Sequence, residues 1–214
     1  MKLLFFGPPG AGKGTQAKMV AEKFNIPHIS TGDMLRNSVK NKTEIGLKVA
    51  EILERGDLVS DDIMNALVKE TLAELDSFIL DGYPRTLPQA EFLEEALKSM
   101  NKNIDKAVLI DVSEEEVVKR ISSRRVCPEC GKVYNIISLK PIKDNICDVD
   151  GHELVQRTDD KEEVVRDRYQ VYLKNTEPVI EFYKKNNKVV TIDGAMDVPD
   201  VTKELFNILG NLSL

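Results

Sequence analysis

The sequence predicts an α/β fold: a five-stranded parallel sheet with helices on both faces, from which a helical lobe and a small β-rich lid extend. Five short apolar runs alternate with stretches of helical periodicity, which is typical of parallel sheets with crossover helices. A glycine-rich loop joins the first run to a helix. Two of the later segments are longer than a simple connection requires, and these predict the extra lobes.

Composition excludes several classes of protein. Of the 214 residues, 42% are hydrophobic and 31% charged, and the net charge is −6. No apolar run approaches the roughly 20 residues of a membrane helix, and the chain starts directly with a strand, which disfavours a secretory signal. The acidic balance argues against general nucleic-acid binding. We therefore expect a cytoplasmic protein without membrane or nucleic-acid partners.

The first strand, residues 3–6, leads into the loop Gly-Pro-Pro-Gly-Ala-Gly-Lys-Gly-Thr over residues 7–15 and then a helix over residues 16–24. Glycines allow a tight turn that directs several backbone N–H groups to one point, and the helix N-terminus adds its dipole there. Lys13 supplies a mobile positive charge. The pattern predicts a nucleotide-phosphate site, although Gly14 stands where a serine or threonine usually contacts Mg²⁺ and the hydroxyl follows at Thr15.

The other strands are predicted at residues 27–30, 78–81, 107–112 and 188–193. Three of them end in an acid, at Asp81, Asp111 and Asp193. Ligands bind at the carboxyl ends of parallel strands, so each acid either serves a site or caps the following helix, and capping is favoured for any one of them.

The segment after the second strand predicts a small lobe over a substrate. Ser30 and Asp33 have the spacing of a helix cap. Helices with a break near residues 41–43 follow, and a turn at residues 56–57 closes the segment that ends at Val59. After the third strand, Pro84 stiffens a loop that presents Arg85 at the binding edge of the sheet. Arg85 is either a ligand-binding residue or a solvated one.

Six of the nine arginines bracket residues 127–151, which we interpret as a small antiparallel insertion. This distribution favours anion binding over a solvated face. The six are Arg120, Arg124, Arg125, Arg157, Arg166 and Arg168.

The insertion also carries the spacing of a metal site. Cys127-x-x-Cys130 is followed, after sixteen residues, by Cys147-x-x-Asp150. Two such halves predict a tetrahedral Zn²⁺ site, which is structural because four protein ligands leave no open position. Asp148 and His152 are near enough in sequence to compete with Asp150 as the fourth ligand.

Together these motifs resemble the adenylate kinase family, in its long bacterial form with a metal-binding lid. The resemblance covers essentially the whole chain and includes the Gly-Lys-Gly-Thr ending of the loop. Its other motifs are Ser-Thr-Gly-Asp-Met-Leu-Arg at 30–36, Asp-Gly-Tyr-Pro-Arg-Thr-Leu-Pro-Gln at 81–89, Arg-Arg-Val at 124–126 and Arg-x-Asp-Asp at 157–160. It implies a core of residues 1–29, 60–123 and 161–214, a monophosphate-binding lobe of residues 30–59 and a zinc lid of residues 124–160.

The resemblance implies reversible transfer of the γ-phosphoryl of Mg-ATP to AMP, giving two ADP, by a monomer whose lobes close over the substrates. The catalytic residues implied are Lys13, Arg85, Arg120, Arg124, Arg157 and Arg168. Those for ATP are Gly10, Ala11, Gly12, Lys13, Gly14, Thr15, Arg124, Val133, Tyr134 and Met196. Those for AMP are Thr31, Arg36, Asp57, Leu58, Val59, Gly82, Tyr83, Pro84, Arg85, Gln89, Arg157 and Arg168. Asp33 and Asp81 would orient waters on Mg²⁺, and Cys127, Cys130, Cys147 and Asp150 would hold Zn²⁺.

Three alternatives remain open. Another nucleoside monophosphate kinase is possible, because only Thr31 and Gln89 favour adenine. A guanine-nucleotide switch would need Asn-Lys-x-Asp, which residues 101–105 miss by one position and residues 41–44 miss in the final acid. A zinc-ribbon nucleic-acid binder is disfavoured by the acidic balance and the absence of an aromatic stacking platform.

Overall fold

The computed structural model of the protein describes residues 1–211, and a parallel sheet forms its centre. In chain order the strands are β1 (Lys2–Phe6), β2 (His28–Ser30), β3 (Phe78–Asp81), β4 (Lys106–Asp111), β5 (Arg124–Val126), β6 (Val133–Asn135) and β7 (Val189–Asp193). The sheet has the order β2-β3-β1-β4-β7 with every pairing parallel. The predicted five-stranded sheet is therefore confirmed, and its strand ends lie within one residue of prediction.

Helices connect the strands on both faces of this sheet. They are α1 (Lys13–Phe24), α2 (Thr31–Lys40), α3 (Glu44–Arg55), α4 (Asp61–Ala73), α5 (Leu87–Ser99), α6 (Glu114–Ser122), α7 (Glu162–Asn175), α8 (Glu177–Lys185) and α9 (Val198–Gly210). The predicted cap is present, because the Ser30 hydroxyl accepts a hydrogen bond from Asp33 N at 3.3 Å. The predicted break between α2 and α3 lies at residues 41–43.

The acids that end β3, β4 and β7 do not cap the next helices, contrary to the favoured expectation. The helices after β3 and β4 begin at other capping side chains, Thr86 and Ser113. The helix after β7 follows Asp197. Asp193 instead accepts a hydrogen bond from Ala195 N at 2.8 Å within a turn.

Alternating side chains of the sheet separate the core into two apolar layers. In β1, Leu4 and Phe6 belong to the layer under α2–α5 and α8, whereas Leu3 and Phe5 belong to the layer under α1, α6, α7 and α9. Both layers are needed because parallel sheets bury both faces. None of the helices in residues 1–211 has the length and apolar character to cross a membrane.

Two small units extend from this core, in agreement with the kinds of structure predicted for the lobe and the lid. Helices α2 and α3 pack together and contribute Leu35 and Val49 to the first apolar layer. Strands β5 and β6 pair antiparallel around a separate cluster of Cys127, Tyr134, Cys147 and Leu154. The two units meet where Lys40 Nζ lies 3.1 Å from Pro128 O and 3.3 Å from Glu129 Oε2.

Candidate active site

The loop between β1 and α1 has the backbone that its glycines predict. Gly10 and Gly12 have φ of 73° and 91°, in the left-handed region that favours glycine. Helix α1 begins at Lys13, three residues earlier than predicted, so its N-terminus is part of the loop itself. Lys13 Nζ donates hydrogen bonds to Gly7 O at 2.7 Å and to Pro8 O at 2.8 Å.

Lys13 lies among other cations. Burial lowers its pKa to about 8, and the charges of Arg85, Arg168 and Arg124 act in the same direction while that of Asp81 opposes them. An anion bound beside such a lysine stabilises its charged form. The loop therefore favours a phosphate group electrostatically.

Two arginines of the predicted set are held by acids from the short 3-10 helix Thr158–Asp160. Arg124 forms a bidentate ion pair with Asp160, whose side chain is completely buried. Burial disfavours the charged guanidinium, but Asp160 outweighs burial and raises the pKa of Arg124. Arg168 Nη1 donates to Asp159 Oδ2 at 2.7 Å. Neither acid had been assigned a role from the sequence, although both belong to the Arg-x-Asp-Asp motif.

Arg85 and Arg157 form no carboxylate ion pair within residues 1–211. Burial lowers the pKa of each to about 10, and neighbouring guanidinium groups act in the same direction, that of Arg168 on Arg85 and those of Arg36 and Arg124 on Arg157. Arg85 Nε donates to Gly82 O at 2.7 Å, which aims the side chain across the end of β3. Arg120, by contrast, donates to Glu116 on its own helix at 2.8 Å and does not join this group in the structure.

Two adjoining pockets are lined in part by Lys13, Arg85 and Arg168. The first pocket is lined by Thr31, Gly32, Leu35, Arg36, Leu53, residues 56–59, Met64, Gly82, Arg85, Gln89, Asp159 and Arg168. The second extends to Gly7, Pro9 and Lys13. Gly82, Arg85 and Arg168 line both, so the two pockets meet at the guanidinium groups.

Polar side chains in the first pocket are fixed by the protein. Thr31 is buried, and its hydroxyl donates to Gly82 O at 3.0 Å. Gln89 is also buried, with its amide hydrogen-bonded to Asp61 and to Arg85 N. Asp61 was not recognised from the sequence, because nothing in the first turn of α4 indicates a partner 28 residues away. Tyr83 lies beside the pocket rather than in it, with its hydroxyl donating to Asn65 Oδ1 at 2.6 Å.

The comparisons with known proteins agree with this geometry. The family model for adenylate kinase matches residues 5–188. The chain belongs to the adenylate kinase family. It is 71% identical over 209 residues to an adenylate kinase of Petrotoga mobilis, which covers 98% of this chain and 97% of the relative. Adenylate kinases of Thermosipho africanus and Archaeoglobus fulgidus are 58% and 55% identical over 212 residues, covering 98% of this chain and 99% and 98% of the relatives. The chain is accordingly an ATP:AMP phosphotransferase.

The candidate metal-ligand cluster of the chain is built from two copies of one turn. In the first, Gly131 N donates to Cys127 O, and in the second, Gly151 N donates to Cys147 O, both at 3.0 Å. Gly131 and Gly151 have φ of 73° and 75°. The third residue after the first cysteine is Cys130 in one copy and Asp150 in the other. The repeat therefore places Asp150, rather than Asp148 or His152, opposite the thiols.

The geometry of the four groups fits a tetrahedral ion. Their ligand atoms all lie within 4.8 Å of one another. Cys127 Sγ is 3.2 Å from Asp150 Oδ2, and Cys130 Sγ is 3.6 Å from Cys147 Sγ. Three thiols and one carboxylate are a donor set that Zn²⁺ accepts. His152 lies behind Asp150, with Nδ1 at 3.3 Å from Asp150 Oδ1.

The remaining predicted residues lie at the rims of the site. Asp81 approaches the phosphate loop, and a Cβ added to Gly14 would lie 3.2 Å from its Oδ2. Asp33 is hydrogen-bonded to Arg36 at 2.6 Å. Met196 packs beside the second apolar layer in the turn between β7 and α9.

Tyr134 and Asp57 differ in placement from the rest of the predicted set. The Tyr134 ring is buried in the lid cluster, and its hydroxyl accepts a hydrogen bond from Asp148 N at 2.8 Å, so its side chain is held inside the lid. Its neighbour Val133 is partly buried in β6. Asp57 lines the first pocket with Leu58 and Val59, and its carboxylate accepts from Arg55 at 3.0 Å.

Proposed function

We propose that the chain transfers the γ-phosphoryl of Mg-ATP reversibly to AMP, with ATP phosphates on the loop of residues 7–15 and AMP in the first pocket. One observation carries this arrangement. Lys13, Arg85 and Arg157 are cations whose pKa values are lowered and that have no carboxylate partner among the described residues. Such groups favour a polyanion, and two nucleotides meeting at Arg85 would supply it.

Phosphoryl transfer requires charge neutralisation, in-line alignment and exclusion of water more than covalent chemistry. Lys13 would exchange its bonds to the Gly7 and Pro8 carbonyls for an oxygen of the transferred group. Arg85 would contact both nucleotides because it lines both pockets. Arg124 and Arg168, held in place by Asp160 and Asp159, would approach the phosphates without losing their orientation. Arg120 would have to leave Glu116 to contribute.

The proposed contacts to AMP and to ATP involve separate sets of residues. Thr31, Arg36, Val59 and Gln89 would hold AMP, together with the backbone of residues 57–58 and 82–85. Gly10 to Thr15 would surround the ATP phosphates. Backbone near Val133 and Met196 would meet the ATP adenine, while Tyr134 and Tyr83 would support their neighbours from buried positions.

Mg²⁺ would accompany ATP and shield the charge of its phosphates. The position of Asp81 beside Gly14 supports a role in holding water on that ion, since carboxylates suit the Mg²⁺ shell. Asp33 would do the same after releasing Arg36. Gly14 offers no hydroxyl at the usual contact, so these acids and Thr15 are the nearby oxygen donors.

The lobe of residues 30–59 and the lid of residues 124–160 would close over the nucleotides. Lys13, Arg85, Arg124, Arg157 and Arg168 repel one another without substrate, so nucleotide binding favours closure and product release favours opening. A structural Zn²⁺ on Cys127, Cys130, Cys147 and Asp150 would hold the lid together. We propose a cytoplasmic monomer, since none of these contacts needs a second copy.

A coupled assay for ADP tests the proposal. ATP would be supplied with AMP, CMP, UMP or GMP in parallel, with Mg²⁺ present and then chelated. We expect ADP formation with AMP to exceed that with each other monophosphate, and to need Mg²⁺. Equal or faster reaction with another monophosphate would contradict the assignment of AMP.

A further inference from the structure

The side-chain amide of Gln89 is held at both ends. Its Nε2 donates to Asp61 Oδ1 at 2.6 Å, and its Oε1 accepts from Arg85 N at 2.7 Å. Both partners have a fixed polarity, because a carboxylate accepts and a backbone N–H donates. A reversed amide would place oxygen against oxygen and N–H against N–H, so only one orientation satisfies the pocket.

Asp61 is itself held in place. Its Oδ2 accepts a hydrogen bond from the Thr86 hydroxyl at 3.0 Å, and the same hydroxyl accepts from Gln89 N at 3.3 Å while capping α5. The first residue of α4 is thereby joined to the first turn of α5. The backbone N–H of Arg85 can bond only to the amide oxygen of Gln89. The Asp61 carboxylate, which carries a full charge, can bond only to the amide nitrogen.

We propose that Asp61 is a positioning residue that sets the base specificity of the AMP pocket by fixing the orientation of the Gln89 amide. The inference rests on the proposed contact between Gln89 and the base. With both internal bonds made, Gln89 keeps one N–H and one oxygen lone pair for a ligand. Their order in space is set by Asp61 together with the Arg85 N–H, and not by the ligand.

This fixed order matches adenine and opposes guanine. Adenine carries an amino donor at position 6 beside a ring-nitrogen acceptor, whereas guanine carries a carbonyl acceptor at position 6. A base seated with position 6 against Gln89 Oε1 is therefore bonded if it is adenine. Guanine in the same seat would place its carbonyl oxygen against the amide oxygen. A freely reversible amide would accept either base.

The test compares kcat/KM for AMP and for GMP at fixed Mg-ATP in the full chain and in Asp61→Asn. Asparagine has nearly the same shape and can donate to Gln89 Oε1, so it removes the constraint from Asp61 and leaves only the Arg85 N–H against the reversed amide. We expect the AMP-to-GMP ratio to fall at least about tenfold, mainly through the KM for AMP, because a partly buried, charged hydrogen bond to Gln89 is lost. The KM for ATP should stay within about twofold.

Asp62→Asn is the matched control. Asp62 lies in the same turn of α4 and carries the same charge, but its side chain is exposed. It should leave the ratio unchanged. Gln89→Leu tests the base contact of Gln89 separately from its positioning by Asp61. It removes the base contact directly and should raise the KM for AMP at least about tenfold.

Two outcomes would overturn the inference. If Gln89→Leu weakens AMP but Asp61→Asn keeps the ratio within twofold, Asp61 has no positioning role and the proposed function stands. If Gln89→Leu leaves the KM for AMP unchanged, the base contact is wrong and the inference is wrong with it. Should Asp61→Asn fail to fold, NMR of the wild-type Gln89 side-chain amide decides. One downfield proton, absent in Gln89→Leu, is expected, and a spectrum like that of an exposed glutamine would contradict the bond to Asp61.

Discussion

Replacing Lys13 with methionine should remove activity and stabilise the fold at the same time. The ammonium sits among guanidinium groups, and burial lowers its pKa from an ordinary value of 10.5 to about 8. That difference corresponds to about 3 kcal/mol of unfavourable free energy for the charged form in the folded state. The two hydrogen bonds to Gly7 O and Pro8 O offset part of the gain when the charge is removed, so we expect a net stabilisation of about 1–2 kcal/mol.

The pH dependence identifies the origin of the effect. A lysine whose folded pKa lies below its unfolded pKa opposes folding fully at any pH below about 8, where it is charged in both states. The penalty fades between pH 8 and about 10.5 as the folded state releases its proton. The gain in folding stability from Lys13→Met should therefore be largest near pH 7 and should shrink as the pH rises from 8 to about 10.5.

Thermal melting and the coupled ADP assay measure both consequences. For a chain of this length, 1–2 kcal/mol corresponds to roughly 2–8 °C in the midpoint at pH 7. Turnover should fall at least about a hundredfold, since Lys13 would act on charge in the transition state. Lys18→Met, on the exposed face of the same helix, should alter neither. A variant that melts no higher than the wild type would refute the electrostatic reasoning, and near-normal turnover would refute the catalytic role.

Three further predictions concern the other charged groups. Arg85→Ala should lower turnover at least about a hundredfold without lowering the melting midpoint, and a large loss of stability with unchanged turnover would make Arg85 structural. Cys147→Ser should remove bound zinc, measured by elemental analysis, and lower the midpoint, whereas Asp150→Ala should do so less because water or a neighbour can replace one carboxylate. Asp160→Asn should destabilise the fold by about 3 kcal/mol in urea titration, because Arg124 would lose its buried partner; a change under 1 kcal/mol would contradict this.

Local patterns predicted the sheet and the phosphate loop because they depend on neighbours in sequence. The apolar runs, the glycines of residues 7–15 and the cap at Ser30 all act over a few residues, and the structure confirms them. The metal cluster was also predictable, since its two halves repeat the same turn. Its proposed fourth ligand follows from the repeated turn, in which Asp150 takes the position that corresponds to Cys130.

Contacts between distant segments were not predictable in the same way. Asp61 in α4 is a plain acid near a helix start until Gln89 is folded against it. Asp160 gave no sign that it would be completely buried on Arg124. Tyr134 was expected at the ATP site only from the family resemblance, but its ring helps to fill the small core of the lid. Arg120 has a nearer partner in Glu116, four residues before it, and this pair could have been anticipated.

The lid has its own four-residue cluster, and none of those residues belongs to the layers beneath the sheet. Its neck is closed by reciprocal backbone bonds between Val126 and Val155, at 2.8 and 2.9 Å, with Arg124 and Arg157 just outside them. The segment between these valines is held by this neck and also by the pairing of β6 with β5, in which Asn135 lies opposite Arg124. A graft that preserved the neck and this pairing would keep Arg124 and Arg157 in their positions. The four candidate metal ligands lie outside both sets of bonds, so that part of the lid could be rebuilt around a different core while the two arginines stay in place.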